Sequence, residues 1–395
     1  MKPEKPTTRL ISEGVRARSA YPKTTSIPAP APASSFRLTP DFIRHYLRQL
    51  GITENVLIHA QDLNQFLEEK GLTELGRGGE GTVYFTRGHV VKVINPASAH
   101  GSMREIAHML HLNRIADAKG TMGDRVRLDW PTLLWVYVLS DGSLSIGMRP
   151  FDTHESEASG TTLFERLYLG PMMPRHHVMN ILRGICQSLV YAHKCGIVHH
   201  DLKPSNIYIP ADERQAPVVF DLGQALWQQT AWGRGWLRNV HNSFYWYNGT
   251  YRYMHHQRRL AHLAALAKSQ RQTPTDEQLA AFSAYQPSYF DDVIAFARIL
   301  RDVIKSTHAQ LSVHDRGTIT KLYQRLMGLK HKRDAGENQK SSAPAQDSGL
   351  IRRIGLALLR NPAPVATPAE SGPRWATMEQ VQPELERVLN SLSIA

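Results

Sequence analysis

From Thr73 to Ile94 the stretch TELGRGGEGTVYFTRGHVVKVI sets apolar side chains between Gly-rich turns with a period of two. That pattern predicts a strand, a hairpin turn and further strands. Beyond about Arg175 the period becomes helical, as in MNILRGICQSLVYAHKCG, with short strand-like interruptions at NIYIP and APVVFDLG. A strand-rich front followed by a helix-rich back constrains the chain to an α+β, two-layer unit. With 395 residues, 42% of them apolar, it can bury a sizeable core, as two domains or one large two-lobed unit.

The flanks read differently. Residues 1–38 are basic and rich in Pro, Ala, Ser and Thr, ending in SIPAPAPASS, a composition expected to remain a disordered tail. In TPDFIRHYLRQLG, Thr39 is a cap, Pro40 sits in the first turn and Gly51 ends the helix. A second short helix is expected over 60–70, which makes 39–71 a helical extension. Residues 330–372 shift to Lys, Ser, Ala, Gln and Pro around GLIRRIGLALLRNP, an inserted loop with one short basic amphipathic helix. Forty-seven Lys and Arg against 35 Asp and Glu give a net charge of +12. That excess favours anionic partners without choosing among them. Direct nucleic-acid binding is disfavoured, because basic polar stretches of this kind are usually just solvated.

Cys186 and Cys195 lie nine positions apart in one helical stretch and cannot bridge without distorting it. They read as buried reduced thiols of a cytosolic protein. No window has the 18 or so apolar residues of a membrane span, and the N-terminus lacks the apolar core of a secretory signal. The expected location is cytoplasmic; delivery to another cell leaves no simple signal to read.

Within LGRGGEGTV, Gly76, Gly78 and Gly81 form GxGxxGxV together with Val83. A Gly-rich hairpin lets backbone N–H groups approach phosphate oxygens without side-chain interference. The hairpin leads into another strand and no βαβ unit is visible, which argues against a dinucleotide fold. One hairpin on, Lys92 stands among Val and Ile, where its ammonium could reach phosphates and where burial demands a carboxylate. Between Val93 and Asp117 the only acid is Glu105, in SMREIAHMLHL, so a Lys92–Glu105 pair is expected.

HHDLKPSN, residues 199–206, then places Asp201, Lys203 and Asn206 within six positions. Asp201 is suited to accept or orient the proton of an attacking hydroxyl, and Lys203 to neutralise charge on a transferring phosphoryl group. Asn206 can give a neutral oxygen to a divalent ion. Asp221, after the β-branched run of VVFDLGQA and before Gly223, is a carboxylate suited to Mg²⁺.

In this order, these residues resemble the eukaryotic-type protein kinase family, in its Ser/Thr-specific branch, across roughly Leu72 to Val388. The resemblance implies a two-lobed fold with a strand-rich N-lobe over 72–152 and a helical C-lobe over 153–390. Inserts fall near 257–290 and 330–372. It implies ATP and Mg²⁺ as cofactors and phosphoryl transfer to Ser or Thr hydroxyls of a protein substrate, with autophosphorylation as a further outcome. Gly76, Gly78, Gly81 and Val83 match the glycine-rich loop, Lys92 and Glu105 the strand lysine and its helix partner. His199, Asp201, Lys203 and Asn206 match the catalytic loop, and Asp221-Leu222-Gly223 the metal-binding motif. Met148 is expected near the adenine pocket, with Arg149 to Phe151 as the hinge, where Phe151 N–H is the expected base-facing donor because Pro150 has none. GTYRYM, 249–254, looks like the substrate-docking segment. Asp292 looks like the buried structural Asp of the following helix, and Arg374 like the late arginine.

There are departures. His200 replaces the Arg that clamps a phosphorylated activation loop, so activation independent of loop phosphorylation is expected, from a side chain that titrates near neutrality. MHHQ, 254–257, stands where the family has Ala-Pro-Glu, which leaves Arg374 without its usual partner. Trp227, Trp232, Trp236 and Trp246 are expected to pack on the helical lobe. Two other readings stay open: a kinase-like binding module without transfer activity, and a small-molecule or glycolipid kinase on the same fold.

Overall fold

The computed structural model describes residues 41, 45, 58–61, 65, 68, 73–77, 81–86, 89–96, 99–118, 130–139, 143–151, 160–227, 251–285, 287–328 and 377–393. The chain divides into two units, Met1–Ala31 and Pro32–Ala395, and every described residue falls in the second.

The first half is a mostly antiparallel sheet crossed by one helix. Its strands are β1 (Ile58–Gln61), β2 (Thr73–Arg77), β3 (Gly81–Thr86) and β4 (His89–Ile94), then β5 (Leu133–Leu139) and β6 (Leu144–Met148). Helix α1 (Ala99–Ala118) lies between β4 and β5 in sequence. The sheet order is β1-β5-β6-β4-β3-β2, with only the β1–β5 pair parallel. The helix expected over 60–70 needs correction, since Ala60 and Gln61 lie in β1, opposite Val138 and Leu139. Helical residues there are Gln65 and Glu68. The strand IHAQ carries no period of its own; pairing with β5 makes it a strand, a tertiary effect that overrides local propensity.

Past β6 the structure is mainly helical. Two-residue β7 (Thr161–Thr162) leads into α2 (Leu163–Tyr168) and α3 (Arg175–Lys194). Four short strands come next: β8 (Ile197–Val198), β9 (Ile207–Ile209), β10 (Val218–Val219) and β11 (Leu226–Trp227). Then come α4 (His256–Ser269), α5 (Asp276–Ala284), α6 (Tyr289–Lys305), α7 (Val313–Leu326) and α8 (Met378–Ser393). Thr275 and Gln278 cap α5 reciprocally, the box that TDEQ specifies. The predicted insert over 257–290 is thus largely a helical hairpin, α4 and α5, closed on Ala261, Ala265, Ala281 and Tyr285.

One apolar core runs from Ile94 and Ile146 in the sheet, through Met103 and Ile106 of α1, to Leu182 and Leu189 of α3 and Phe296 and Leu300 of α6. Helix α6 is buried on nearly every side, which suits its apolar run VIAFARIL. Cys186 and Cys195 are both buried and reduced, and burial pushes the Cys186 thiol far up. Trp232, Trp236, Trp246, Gly249, Thr250, Arg374 and the insert over 330–372 lie outside the described residues, and of Trp227 only the backbone is described.

Candidate active site

The glycine-rich hairpin is made by β2 and β3, with Gly76 opposite Val83 and an irregular register between Glu74 and Gly76. Gly78 at its tip lies outside the described residues. Gly81 has a packing reason to be glycine. A Cβ there would stand 2.1 Å from the carbonyl oxygen of Val93 on β4, closer than any side chain tolerates. Val83 faces Lys92 across the β3–β4 ladder.

Lys92 projects from β4 between the buried Val91 and Val93. Its Nζ lies 2.7 Å from Oε2 of Glu105 on α1, as expected from the sequence, and 3.5 Å from Oδ1 of Asp221. One ammonium thus ties α1 to the segment after β10. Glu105 is buried between Arg104 and Ile106, so without Lys92 its charge would be stranded. Asp221 has φ 66° and ψ 69°, a left-handed conformation that costs a side-chain residue about 1–2 kcal/mol. Burial opposes ionisation of its carboxyl, but the charges of Lys92 and Lys203 outweigh that and hold it below the usual carboxylate range.

The loop residues His199 and His200 hang on one buried carboxylate. Asp292 of α6 accepts from the backbone N–H of His199 at 2.8 Å and of His200 at 2.9 Å, and from His193 Nε2 at 3.0 Å. His193 Nδ1 accepts from Met378 N–H, which joins α8 to the same point. The His199 ring spans the loop: Nδ1 accepts from Asp201 N–H at 3.3 Å while Nε2 meets the Phe220 carbonyl at 3.0 Å. Lys203 Nζ lies 2.7 Å from Asp201 Oδ2, and Asn206 Nδ2 donates to the Asp201 carbonyl at 3.0 Å. With its nitrogen committed to Asp201, Asn206 has its amide oxygen to offer a cation. β9 and β10 carry Asn206 and Asp221 to one end of the same ladder, where Phe220 N–H donates to Asn206 O at 3.0 Å.

His200 departs from what its position in the sequence predicts. It does not titrate near neutrality, because it is buried with φ 66° inside a bonded network. Arg258 Nη2 lies 3.1 Å from its Nδ1, its Nε2 lies 2.8 Å from the Tyr285 hydroxyl, and that hydroxyl donates to Asp291 Oδ1 at 3.1 Å. Burial, and then the adjacent Arg258 charge, push the imidazole well below its ordinary pKa. His255 and Arg258 also face Asp291, at 3.2 and 3.9 Å. Burial works against the Asp291 charge, yet His255 and Arg258 keep the carboxyl strongly depressed. The stretch MHHQRR, where the resemblance led to the expectation of a missing acid, thus supplies a cation to a buried acid.

At the hinge, Met148 closes β6 and Arg149 N–H donates to the Thr132 carbonyl at 2.9 Å. The Phe151 ring packs on Tyr208 at 5.3 Å and Phe220 at 5.8 Å, between ring centroids. The structure therefore brings Lys92, Glu105 and Asp221 together at one end, Asp201, Lys203 and Asn206 at the other, and Phe151 beside the residue preceding Asp221. Tyr208, Phe220, Arg258, Tyr285 and Asp291 escaped the sequence reading. Their partners lie far along the chain, and each alone reads as ordinary core or surface.

No protein-family model matches the chain. Curated relatives that it matches include protein kinases, several of them serine/threonine-protein kinases. Serine/threonine-protein kinase PknB of Mycobacterium leprae is 30% identical over 104 residues, which are 26% of this chain and 17% of that protein. Calcium-dependent protein kinase 5 of Plasmodium berghei is 24% identical over 193 residues, 49% of this chain and 31% of that protein. Probable serine/threonine-protein kinase SCO3848 of Streptomyces coelicolor is 26% identical over 152 residues, 34% of this chain and 22% of that protein. The chain is thus similar to serine/threonine protein kinases, over stretches spanning between 17% and 31% of those relatives.

Proposed function

We propose that this chain is an ATP-dependent serine/threonine protein kinase. The observation that carries the reading is Lys92 bonded at once to Glu105 and Asp221, with Lys203 near enough to Asp221 to lower its pKa while bonding Asp201. Phosphoryl transfer needs cations and an aligned nucleophile more than covalent chemistry. In this reading Lys92, held by Glu105, orients the α- and β-phosphates under the hairpin of Gly76, Gly78, Gly81 and Val83. The Phe151 N–H meets the base. Asp201 accepts the proton of the substrate hydroxyl while Lys203 faces the charge that builds on the transferring group.

Asn206 and Asp221 fit Mg²⁺ by their donor chemistry, a neutral amide oxygen and a carboxylate kept ionised, both hard oxygen ligands. Bound there, the ion would neutralise charge on the nucleotide's phosphates. The finer architecture belongs to the same proposal: an N-lobe over 72–152 and a C-lobe over 153–390 with inserts near 257–290 and 330–372. The extension over 39–71 then adds β1 to the N-lobe edge. Free, buried Cys186 and Cys195 support a reducing, cytoplasmic setting. Among the described residues no helix is long and apolar enough to cross a membrane.

The test is incubation with Mg-ATP labelled at the γ-phosphorus, on generic protein substrates and on the chain itself. Label on Ser or Thr, lost in Asp201→Ala and Asp221→Ala, is the expected result. Absence of label while ATP binds with Lys92-dependent affinity would refute the reading in favour of a nucleotide-binding module or a small-molecule kinase.

A further inference from the structure

Away from Asp201 and Lys92, cationic side chains from three elements converge on a single carboxylate. Asp302 of α6 is fully buried, and both its oxygens are taken. Oδ1 accepts from Arg252 and Oδ2 from the Tyr253 hydroxyl at 2.6 Å, both donors from the 3₁₀ turn Tyr251–Tyr253. Arg298, Arg301 and Lys305 follow one another on α6 at helical spacings of three and four, beside Asp302, and the Arg301 charge reaches Lys305, Arg298 and Arg259 of α4. Burial, and then repulsion from Arg259 and Arg301, push the Arg298 guanidinium down to about 10.

Arg298 is only 9% exposed, yet among the described residues it makes no hydrogen bond or ion pair. Arg301 likewise makes none, and its buried Nε lacks a partner. Arg259, by contrast, is anchored. Its Nε and Nη2 donate to the carbonyls of Tyr251 and Arg252, both at 3.1 Å, with its guanidinium 4.9 Å from the Tyr251 ring centroid. A buried guanidinium without an anion is costly, and clustering a second beside it raises the cost. Lys305 is exposed and Arg252, Arg259 and Arg301 are partly so, which opens the cluster to solvent. Planar guanidinium groups match carboxylate oxygens in pairs.

We propose that Arg259, Arg298, Arg301 and Lys305 form a binding site for acidic side chains of a peptide substrate. The site adjoins Tyr251–Met254, so this inference rests on the protein-kinase reading of that segment. It makes the chain an acid-directed kinase.

The test uses the full chain and two dye-labelled peptides that share a central Ser, one flanked by Glu and the other by Gln. Fluorescence anisotropy reads binding, and γ-labelled Mg-ATP reads transfer to the same peptides. The Glu peptide should bind at least about tenfold more tightly, the effect of one charge-assisted bond or more. That preference should shrink in Arg301→Gln and in Lys305→Gln, changes at a partly exposed and an exposed side chain that spare the buried Arg298. Raising salt should weaken Glu-peptide binding selectively. Equal binding of the two peptides, or a preference unchanged in both variants, would overturn the site while leaving the kinase reading intact. A Glu preference with no transfer to any peptide would instead remove the kinase reading and with it the substrate role.

Discussion

His200 shows how a single side chain can be legible in identity and misread in chemistry. The sequence places it beside Asp201, the proposed base, where a solvated imidazole would titrate near neutrality. The structure buries it between Arg258 and Tyr285 and lowers its pKa well below 6.5. Below about pH 6.5 the unfolded chain therefore takes up a proton that the folded chain refuses. Stability contributed by this residue is full above that pH and is lost as pH falls toward the folded value. Replacing His200 with Gln should flatten the dependence of Tm on pH between roughly 6.5 and 4.5, read by thermal denaturation at a series of pH values. An unchanged slope would place that uptake elsewhere. Asp291 has the matching sign at lower pH: its depressed carboxyl stabilises the fold above the unfolded carboxylate range and loses that contribution as pH falls below it. Lys92, by contrast, was readable from its neighbours, because a cation among Val and Ile demands an acid and Glu105 was the only one at hand. Lys92→Met should reduce phosphoryl transfer on the order of 10²- to 10³-fold, the cost of removing one charge-stabilising donor, measured as initial rate at saturating Mg-ATP.

Elements carry the next layer. The β3–β4 ladder approaches so closely at Gly81 that the glycine is required by packing whatever the hairpin binds. Gly81→Ala should destabilise the fold by about 1–3 kcal/mol through overpacking, read from denaturant unfolding. A neutral result would show that the Val93 carbonyl yields. Helix α6 holds His199 and His200 through Asp292, and Asp292→Ala would leave two backbone N–H groups and His193 without their acceptor. A loss of about 3 kcal/mol or more is expected, because it breaks a buried charge network. The period of the chain predicted β2 to β4, α3 and the helical character of α4 and α5, since each has its own apolar pattern and punctuation. It could not predict β1, which is a strand only because β5 lies alongside, nor the Arg258–His200–Tyr285–Asp291 chain. Its bonded pairs lie 58, 85 and 6 residues apart, and it takes α4, the end of α5 and the start of α6 packed against His200 to bring them together.

At the scale of the whole molecule, one core joins the sheet to α3 and α6, and the two ends of the candidate site are tied across it by Lys92 and His199. The strand-then-helix order made an α+β fold legible, and the ordered motifs made the resemblance to protein kinases legible. The cation cluster of the proposed acidic-peptide site was not, because Arg259 and Arg298 lie far apart in sequence and look like ordinary surface charges there. Binding of Mg-ATP to the folded state should raise its stability by about 2.7 kcal/mol at a hundredfold excess over Kd. Asp221→Asn should abolish most of that rise in thermal denaturation. The most direct test of the central claim separates chemistry from binding at Asp201, the residue that Lys203 and Asn206 flank. Steady-state transfer to Ser or Thr should fall about 10²- to 10⁴-fold in kcat for Asp201→Asn, the usual worth of a general base, with Kd for Mg-ATP unchanged. A variant that transfers at the wild-type rate would contradict the account.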